Sequence, residues 1–348
     1  MAEVPETLLR LVQRFSPSGQ EGQAVQWLVQ RMRTLQFEQC FADAAGNAVG
    51  IKGSGLNQIV LLGHIDTVKG EIPVRVEDDT LYGRGSVDAK GPLASFVDAV
   101  AAITVAPNWQ VVVIGAVDEE GESKGAKAII DQYQPQFAII GEPSQWNRVT
   151  LGYKGSQPAV LTCKKSLVHS SQGGNANDVL LSAWQSLLQN VKAFNQDKTM
   201  FEQIIPTVLN MTSESNGFEM EGKLAVGTRL PISISPQVWL QEWLGELKGV
   251  EINQISSGIP AYQADKNSVL TRAFLGAIRQ AGGKPGFVNK SGTSDINLVA
   301  PGWGCPAVAF GPGDSNLDHT PNEHISIADY EKAVLVLVSV LKNLGISS

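Results

Sequence analysis

The chain has 348 residues, 43% of them hydrophobic, with 34 acidic against 27 basic side chains and a net charge of −7. That length is long for one domain and short for three, so two domains are expected, each with enough apolar residues for a core. The acidic balance argues against a nucleic-acid binder, which would present a basic face, and no apolar run approaches the length of a membrane span.

Met1 to Glu6 shows neither a basic nor an apolar signal region, and Cys40, Cys163 and Cys305 form no C-x-x-C pair. Both features fit a cytoplasmic protein with reduced thiols. Leu8, Leu9, Leu11, Val12 and Phe15 fall at helical spacing. Ser16-Pro17-Ser18-Gly19 breaks the pattern, and Ala24, Val25, Leu28, Val29 and Met32 resume it, which predicts two helices. The short apolar runs Ile59 to Leu62, Val111 to Ile114 and Phe137 to Ile140 read as buried strands. Helix-forming stretches at Pro92 to Ile103 and Lys124 to Tyr133 separate them. Such alternation predicts an α/β domain with a largely parallel sheet flanked by helices. Near residue 153 the pattern changes. Strands are expected at Val160 to Cys163, Ile205 to Met211, Gly222 to Gly227 and Gly249 to Ile255, with helices at Asp178 to Val191 and Leu240 to Leu247. The α/β pattern returns near 265 and ends in a helix from Ile327 to Leu344. The expectation is one α/β domain over residues 1–152 and 262–348, with an α+β domain inserted at 153–261.

Five potential metal ligands are spaced along this scheme: His64, Asp88, Glu120, Glu142 and His319. His64, Glu120 and Glu142 each follow a predicted strand, and ligand sites in open α/β sheets form beyond the carboxyl ends of strands. Two histidines and three carboxylates are what two zinc ions need if Asp88 is shared between them. Asp66 stands where it can orient the His64 ring, and Glu119, beside Glu120, can carry a proton to a leaving amine. Each feature has a plainer reading. His64-Ile65-Asp66 also fits a polar strand end, Asp118-Glu119-Glu120 a solvated loop, and Glu142-Pro143 a turn. His319 and His324 are five apart with Pro321 between them, which excludes the H-E-x-x-H helix. Co-occurrence favours the metal.

The segments Gly63-His64-Ile65-Asp66-Thr67-Val68, Leu81 to Gly91, Asp118-Glu119-Glu120-Gly121 and Gly141-Glu142-Pro143 together resemble the co-catalytic zinc amidohydrolase family. Its members include aminoacylase, acetylornithine deacetylase, succinyl-diaminopimelate desuccinylase and glutamate carboxypeptidase. The resemblance implies one zinc held by His64 and Glu142 and another by Glu120 and His319, with Asp88 bridging and cobalt as a substitute. It implies Glu119 as general base, Asp66 as the orienter of His64 and a cis peptide at Asp88-Ala89. The inserted segment matches the family's lid or dimerisation domain. His169 takes the place of a lid histidine that reaches a partner subunit's active site, so a homodimer through the lid is implied. Asn216 and Arg229 match a substrate-binding asparagine and arginine. Gly292-Thr293-Ser294-Asp295 resembles a substrate-side loop, placing Thr293 and Asp295 near substrate, although Ser294 or Asp295 also suits a helix N-cap.

His64 to Val74, Val87 to Pro92 and Gly311 to Pro321 are similar to the lysine-biosynthesis branch of that family, the N-acetyl-lysine deacetylases. Those enzymes release lysine or ornithine from the C-terminal glutamate of a small amino-group carrier protein. Lys164 to His169 departs from the branch, lacking the usual glycine or alanine before the histidine. The expected activity is zinc-dependent hydrolysis of a linear amide on the α-amino group of lysine, with no nucleic-acid or membrane partner. Acetylornithine deacetylase, desuccinylase and dipeptidase activities are the alternatives within the family. A metal-free binding protein on the same fold is the alternative outside it.

Overall fold

Periodicity accounts for the first two elements: Leu8, Leu11 and Val12 are buried on α1 (Glu6–Val12), and Ala24, Val25, Leu28 and Met32 on α2 (Gly22–Thr34). In the computed structural model, which describes residues 4–167, 169 and 173–347, the chain forms two compact units. The first runs to Leu151 and resumes with Ala264–Val288 and from Ser294 onward; the second comprises Gly152–Gln263 and Asn289–Thr293.

In the first unit, β1 (Gln39–Ala42), β2 (Ala48–Lys52) and β3 (Asn57–His64) lead to a small hairpin, β4 (Arg75–Glu77) and β5 (Thr80–Tyr82). Helix α3 (Lys90–Ala101) crosses to β6 (Trp109–Ala116), and α4 (Lys124–Ile129) crosses to β7 (Phe137–Gly141), which is followed by β8 (Arg148–Tyr153). The order β2-β6-β3-β7 has parallel β6·β3 and β3·β7 pairs at its centre. Helical crossovers demand that direction. Towards the edge, β1·β2 and β2·β6 are antiparallel, so the sheet is mixed, with its parallel part in the middle.

Three glycines explain how α3 lies so close. Gly63 is paired with both Gly115 and Gly141, forming a row across β6, β3 and β7. A Cβ at Gly63 would meet Leu93 at 3.1 Å, and one at Gly141 would meet Phe96 at 2.9 Å. Both contacts are too tight for a packed interior. Without side chains there, the buried helix settles on the strand ends, which sets where Asp88, just before it, is presented.

The second unit continues with β9 (Gly155–Ser166), α5 (Ala176–Asn195), β10 (Ile205–Ser215), β11 (Glu219–Leu230), the short α6 (Pro236–Val238) with a wide turn over Trp239–Leu244, β12 (Glu251–Gln254) and β13 (Tyr262–Gln263). Its antiparallel sheet has the order β10-β11-β9-β12. Ala176, Leu180, Ala183, Leu187 and Val191 of α5 bury one helix face in a core with Leu161, Leu224, Val226 and Trp239. Asn175 and Asp178 cap the helix reciprocally.

Back in the first unit, α7 (Val269–Gln280), β14 (Gly286–Lys290), α8 (Ile296–Trp303), β15 (Ala307–Ala309), β16 (His324–Ser326) and α9 (Ile327–Asn343) complete the chain. Strand β15 extends the parallel set beside β7 and also meets β8 antiparallel; β16 joins β5 and β4. No helix among the described residues is long and apolar enough to cross a membrane.

Candidate metal centre

Strand ends of the first unit deliver the polar residues. His64 is the last residue of β3 and is buried. Its Nδ1 lies 3.0 Å from the Asp66 carbonyl oxygen and 3.4 Å from Asp66 Oδ1. Its Nε2 lies 3.0 Å from Asp88 Oδ1. His319 approaches the other oxygen of Asp88, with Nε2 3.1 Å from Oδ2, and lies 2.9 Å from Glu120 Oε1. Asp88, Glu120 and His319 thus offer donor atoms all within 4.8 Å of one another. Glu142, buried, follows directly on β7. Asp88 precedes a cis peptide to Ala89.

The loop after β6 is clamped at two places. Asp66, with no exposure, accepts the backbone N–H groups of Glu119 and Glu120, each at 3.1 Å, and the Ser18 hydroxyl at 2.7 Å. Buried Asn47 accepts the Val117 N–H at 3.0 Å and donates to the Gly125 carbonyl at 3.1 Å. Asp66 therefore holds both the histidine and the paired glutamates with one carboxylate.

Electrostatics shows what this donor set suits. Burial drives Glu119 well above the usual carboxylate range against the opposing pull of His64, and Asp295, Glu142 and Asp88 add to the rise. Burial, then Asp88, raises Glu120 as well. Burial disfavours charge on His64, yet its contacts with Asp66 and Asp88 hold its pKa well above the ordinary imidazole value. The bond to Asp88 leads in pushing His319 up to about 9. Crowded carboxylates and imidazoles sharing protons are a donor set that a divalent cation relieves: nitrogen and oxygen ligands converge and the excess charge is negative. The residues therefore fit zinc or a similar ion.

Asp295 is buried beside this group. Burial pushes its carboxyl up to about 7 against the pull of His64 and a bond from Ser123. Its Oδ1 has no hydrogen-bond partner among the described residues. It precedes α8 without capping it through its side chain; Ser294 Oγ accepts the Ile296 N–H instead, at 3.4 Å.

The other expected residues belong to the second unit. Arg229, near the end of β11, donates from Nη1 to Thr293 Oγ1 at 3.3 Å. Asn216 forms the β10–β11 turn, its Oδ1 accepting the N–H groups of Phe218 and Glu219 at 2.9 and 2.8 Å. His169 is exposed just past β9, whose Ser166 pairs with Glu219; its neighbours Val168, Ser170 and Ser171 lie outside the described residues. Asn216 and His169 thus share one end of this sheet, and Arg229 and Thr293 the other. At about 3.3 Å per residue, β11 separates the two pairs by roughly 30 Å.

Sequence reading gave no role to Asn47, Ser123, Arg84 or Glu323. Nothing local marks them, because each acts through a partner distant in the chain. Arg84 and Glu323, for instance, form a buried ion pair at 2.8 Å across 239 positions.

Comparison with known proteins gives the family. Residues 60–343 match the model of peptidase family M20/M25/M40. A LysW-lysine hydrolase of Deinococcus radiodurans is 39% identical, over 97% of this chain and 96% of its own. A LysW-lysine/LysW-ornithine hydrolase of Sulfurisphaera tokodaii is 30% identical, over 98% and 96%. An M20 family metallo-carboxypeptidase from Sulfolobus solfataricus shares the fold, with a TM-score of 0.73 over 98% of this chain and 99% of that one at 18% identity. A family match over most of the chain, relatives aligned along its length and a convergent donor cluster lead to one conclusion: the chain belongs to peptidase family M20/M25/M40, metal-dependent hydrolases of amide bonds.

Proposed function

We propose that this enzyme releases lysine, and also ornithine, from the C-terminal glutamate of a small amino-group carrier protein by hydrolysing the amide on the α-amino group. The observation that carries the reading is the full-length likeness to relatives named as hydrolases of LysW-linked lysine and ornithine. His64 and Glu142 would hold one zinc ion and Glu120 and His319 a second, with Asp88 between them. When bound, such ions act as Lewis acids and make water a usable nucleophile near neutral pH.

The chain's own residues do the rest. A Glu119 carboxylate oxygen takes the proton that water loses as it adds to the carbonyl carbon. It returns that proton to the nitrogen as the C–N bond breaks, so one group serves as base and then acid. Asp66 keeps the His64 ring in register. Arg229, steadied by Thr293, clamps the substrate α-carboxylate with its planar fork. The unpartnered oxygen of Asp295 suits the cationic end of lysine.

His169, with Asn216, is assigned to the active site of a second copy, where the imidazole polarises the scissile carbonyl. Two features support this. The length of β11 keeps His169 and Arg229 of one lid from reaching the same substrate. Strand β10 is a sheet edge with Val208 and Leu209 exposed, a surface open to pairing with another strand. Mixing His169→Ala chains with Glu119→Gln chains is expected to restore part of the lost activity, because a heterodimer rebuilds one complete site. No recovery, with subunit exchange shown by a tagged copy, would remove the assignment in trans.

Carrier-linked lysine and N-acetyl-lysine test the substrate. Remote contacts to the carrier are used at the reacting centre, so kcat/KM is expected to be far higher for the carrier adduct. Equal values would make the enzyme a small-molecule deacetylase, and an uncleaved adduct would rule the carrier out.

A further inference from the structure

Glu323 is a charged residue with no exposed surface, four positions beyond His319. Burying a carboxylate is costly unless its oxygens are paired, and among the described residues the partners of this one lie on a single segment, 83–88. Oε1 accepts the backbone N–H groups of Val87 at 2.9 Å and Asp88 at 3.0 Å. Oε2 accepts Arg84 Nη1 at 2.8 Å. The Glu323 carbonyl oxygen accepts the Gly83 N–H at 3.3 Å. Arg84, itself buried, is anchored further by donating Nε to the Gly70 carbonyl at 3.0 Å. One side chain thus ties the backbone of Asp88, which touches both His64 and His319, to the stretch that follows His319.

We infer that Glu323 is a positioning residue for the metal centre, fixing the Asp88 carboxylate relative to His319 through the Val87 and Asp88 amides. The alternative is that Glu323 and Arg84 merely fill the interior as a balanced pair. The two differ in which contact matters. Arg84, although held at Nε by the Gly70 carbonyl, is a side chain whose Nη1 can pivot toward a displaced carboxylate; the two amides are backbone and cannot. In Glu323→Asp the carboxylate retreats by one methylene, so the ion pair survives while the grip on both amides is lost. In Arg84→Lys a cation remains and the amide contacts are untouched.

The inference rests on the metal-dependent reading, so the measurement is metal binding rather than turnover. Zinc affinity is read by chelator competition, and the visible spectrum of the cobalt-loaded chain reports ligand arrangement. Partners that orient metal ligands are typically worth 10–100-fold in affinity. Glu323→Asp is therefore expected to fold, to bind zinc about 10–100-fold more weakly and to shift the cobalt bands, with Arg84→Lys close to the parent in both. Equal affinity of Glu323→Asp and parent would overturn the inference. So would an equal loss in Arg84→Lys, or a Glu323→Asp chain that does not fold without metal, since each describes a packing role. A parent chain that binds no metal would instead sink the metal-dependent reading itself.

Discussion

A Glu119→Gln chain is expected to lose about 10²–10⁴ in kcat, the usual contribution of a positioned proton carrier, while binding metal as the parent does. Glutamine keeps the shape and the loop. The backbone N–H of residue 119 still reaches Asp66, and residue 120 still stands 2.9 Å from His319. What disappears is an oxygen able to accept a proton. The native carboxyl is raised by burial against the pull of His64, with Asp295, Glu142 and Asp88 adding to it. Glu120→Gln should show the opposite pattern, because its Oε1 belongs to the three-residue donor cluster. Steady-state kinetics with metal content measured on the same samples separates the two. Equal metal loss in both variants would end the division of labour.

Removing metal should have the larger effect. Dialysis against a strong chelator is expected to abolish turnover, and zinc or cobalt to restore it. Far-ultraviolet circular dichroism should change little. The strands that deliver His64 and Glu142, and the one that precedes Glu120, are buried through the centre of the sheet and do not depend on an ion for their packing. Without the ion the donors are left sharing protons, with His319 raised to about 9. Protons and metal compete for the same nitrogens, so re-binding should weaken as the pH falls. A fully active metal-free sample would count decisively against a metal-dependent mechanism.

Much of this molecule can be read from the chain alone. Runs such as Ile59 to Leu62 and Val111 to Ile114 are short and apolar on both faces, as a central strand requires, and they are the middle of β3 and β6. The three-to-four-residue spacing of the five buried residues on the α5 face is equally local. Strands β1, β4, β5 and β16 were not legible, because they are short and partly exposed, and their pairing depends on neighbours rather than on composition. The same holds for the antiparallel outer strands that make the sheet mixed.

The candidate site divides in the same way. Residue chemistry, strand-end placement and above all co-occurrence were enough to nominate His64, Asp88, Glu120, Glu142 and His319, although each has a plainer reading taken alone. Folding decided which of them touch: both Asp88 oxygens engage a histidine, one from residue 64 and one from residue 319. Folding also set Asn216 and Arg229 at opposite ends of β11, a separation that a spacing of thirteen residues conceals until the segment is known to be extended. Asn47, Arg84 and Glu323 belong wholly to the tertiary structure. Their side chains satisfy backbone groups tens to hundreds of positions away, and a sequence cannot show which of its polar residues will be buried against a distant loop. The sequence by itself determined which atoms could bind and react; the long-range packing of strand ends decided how they meet, because loops pinned by buried hydrogen bonds hold these charged groups close to one another.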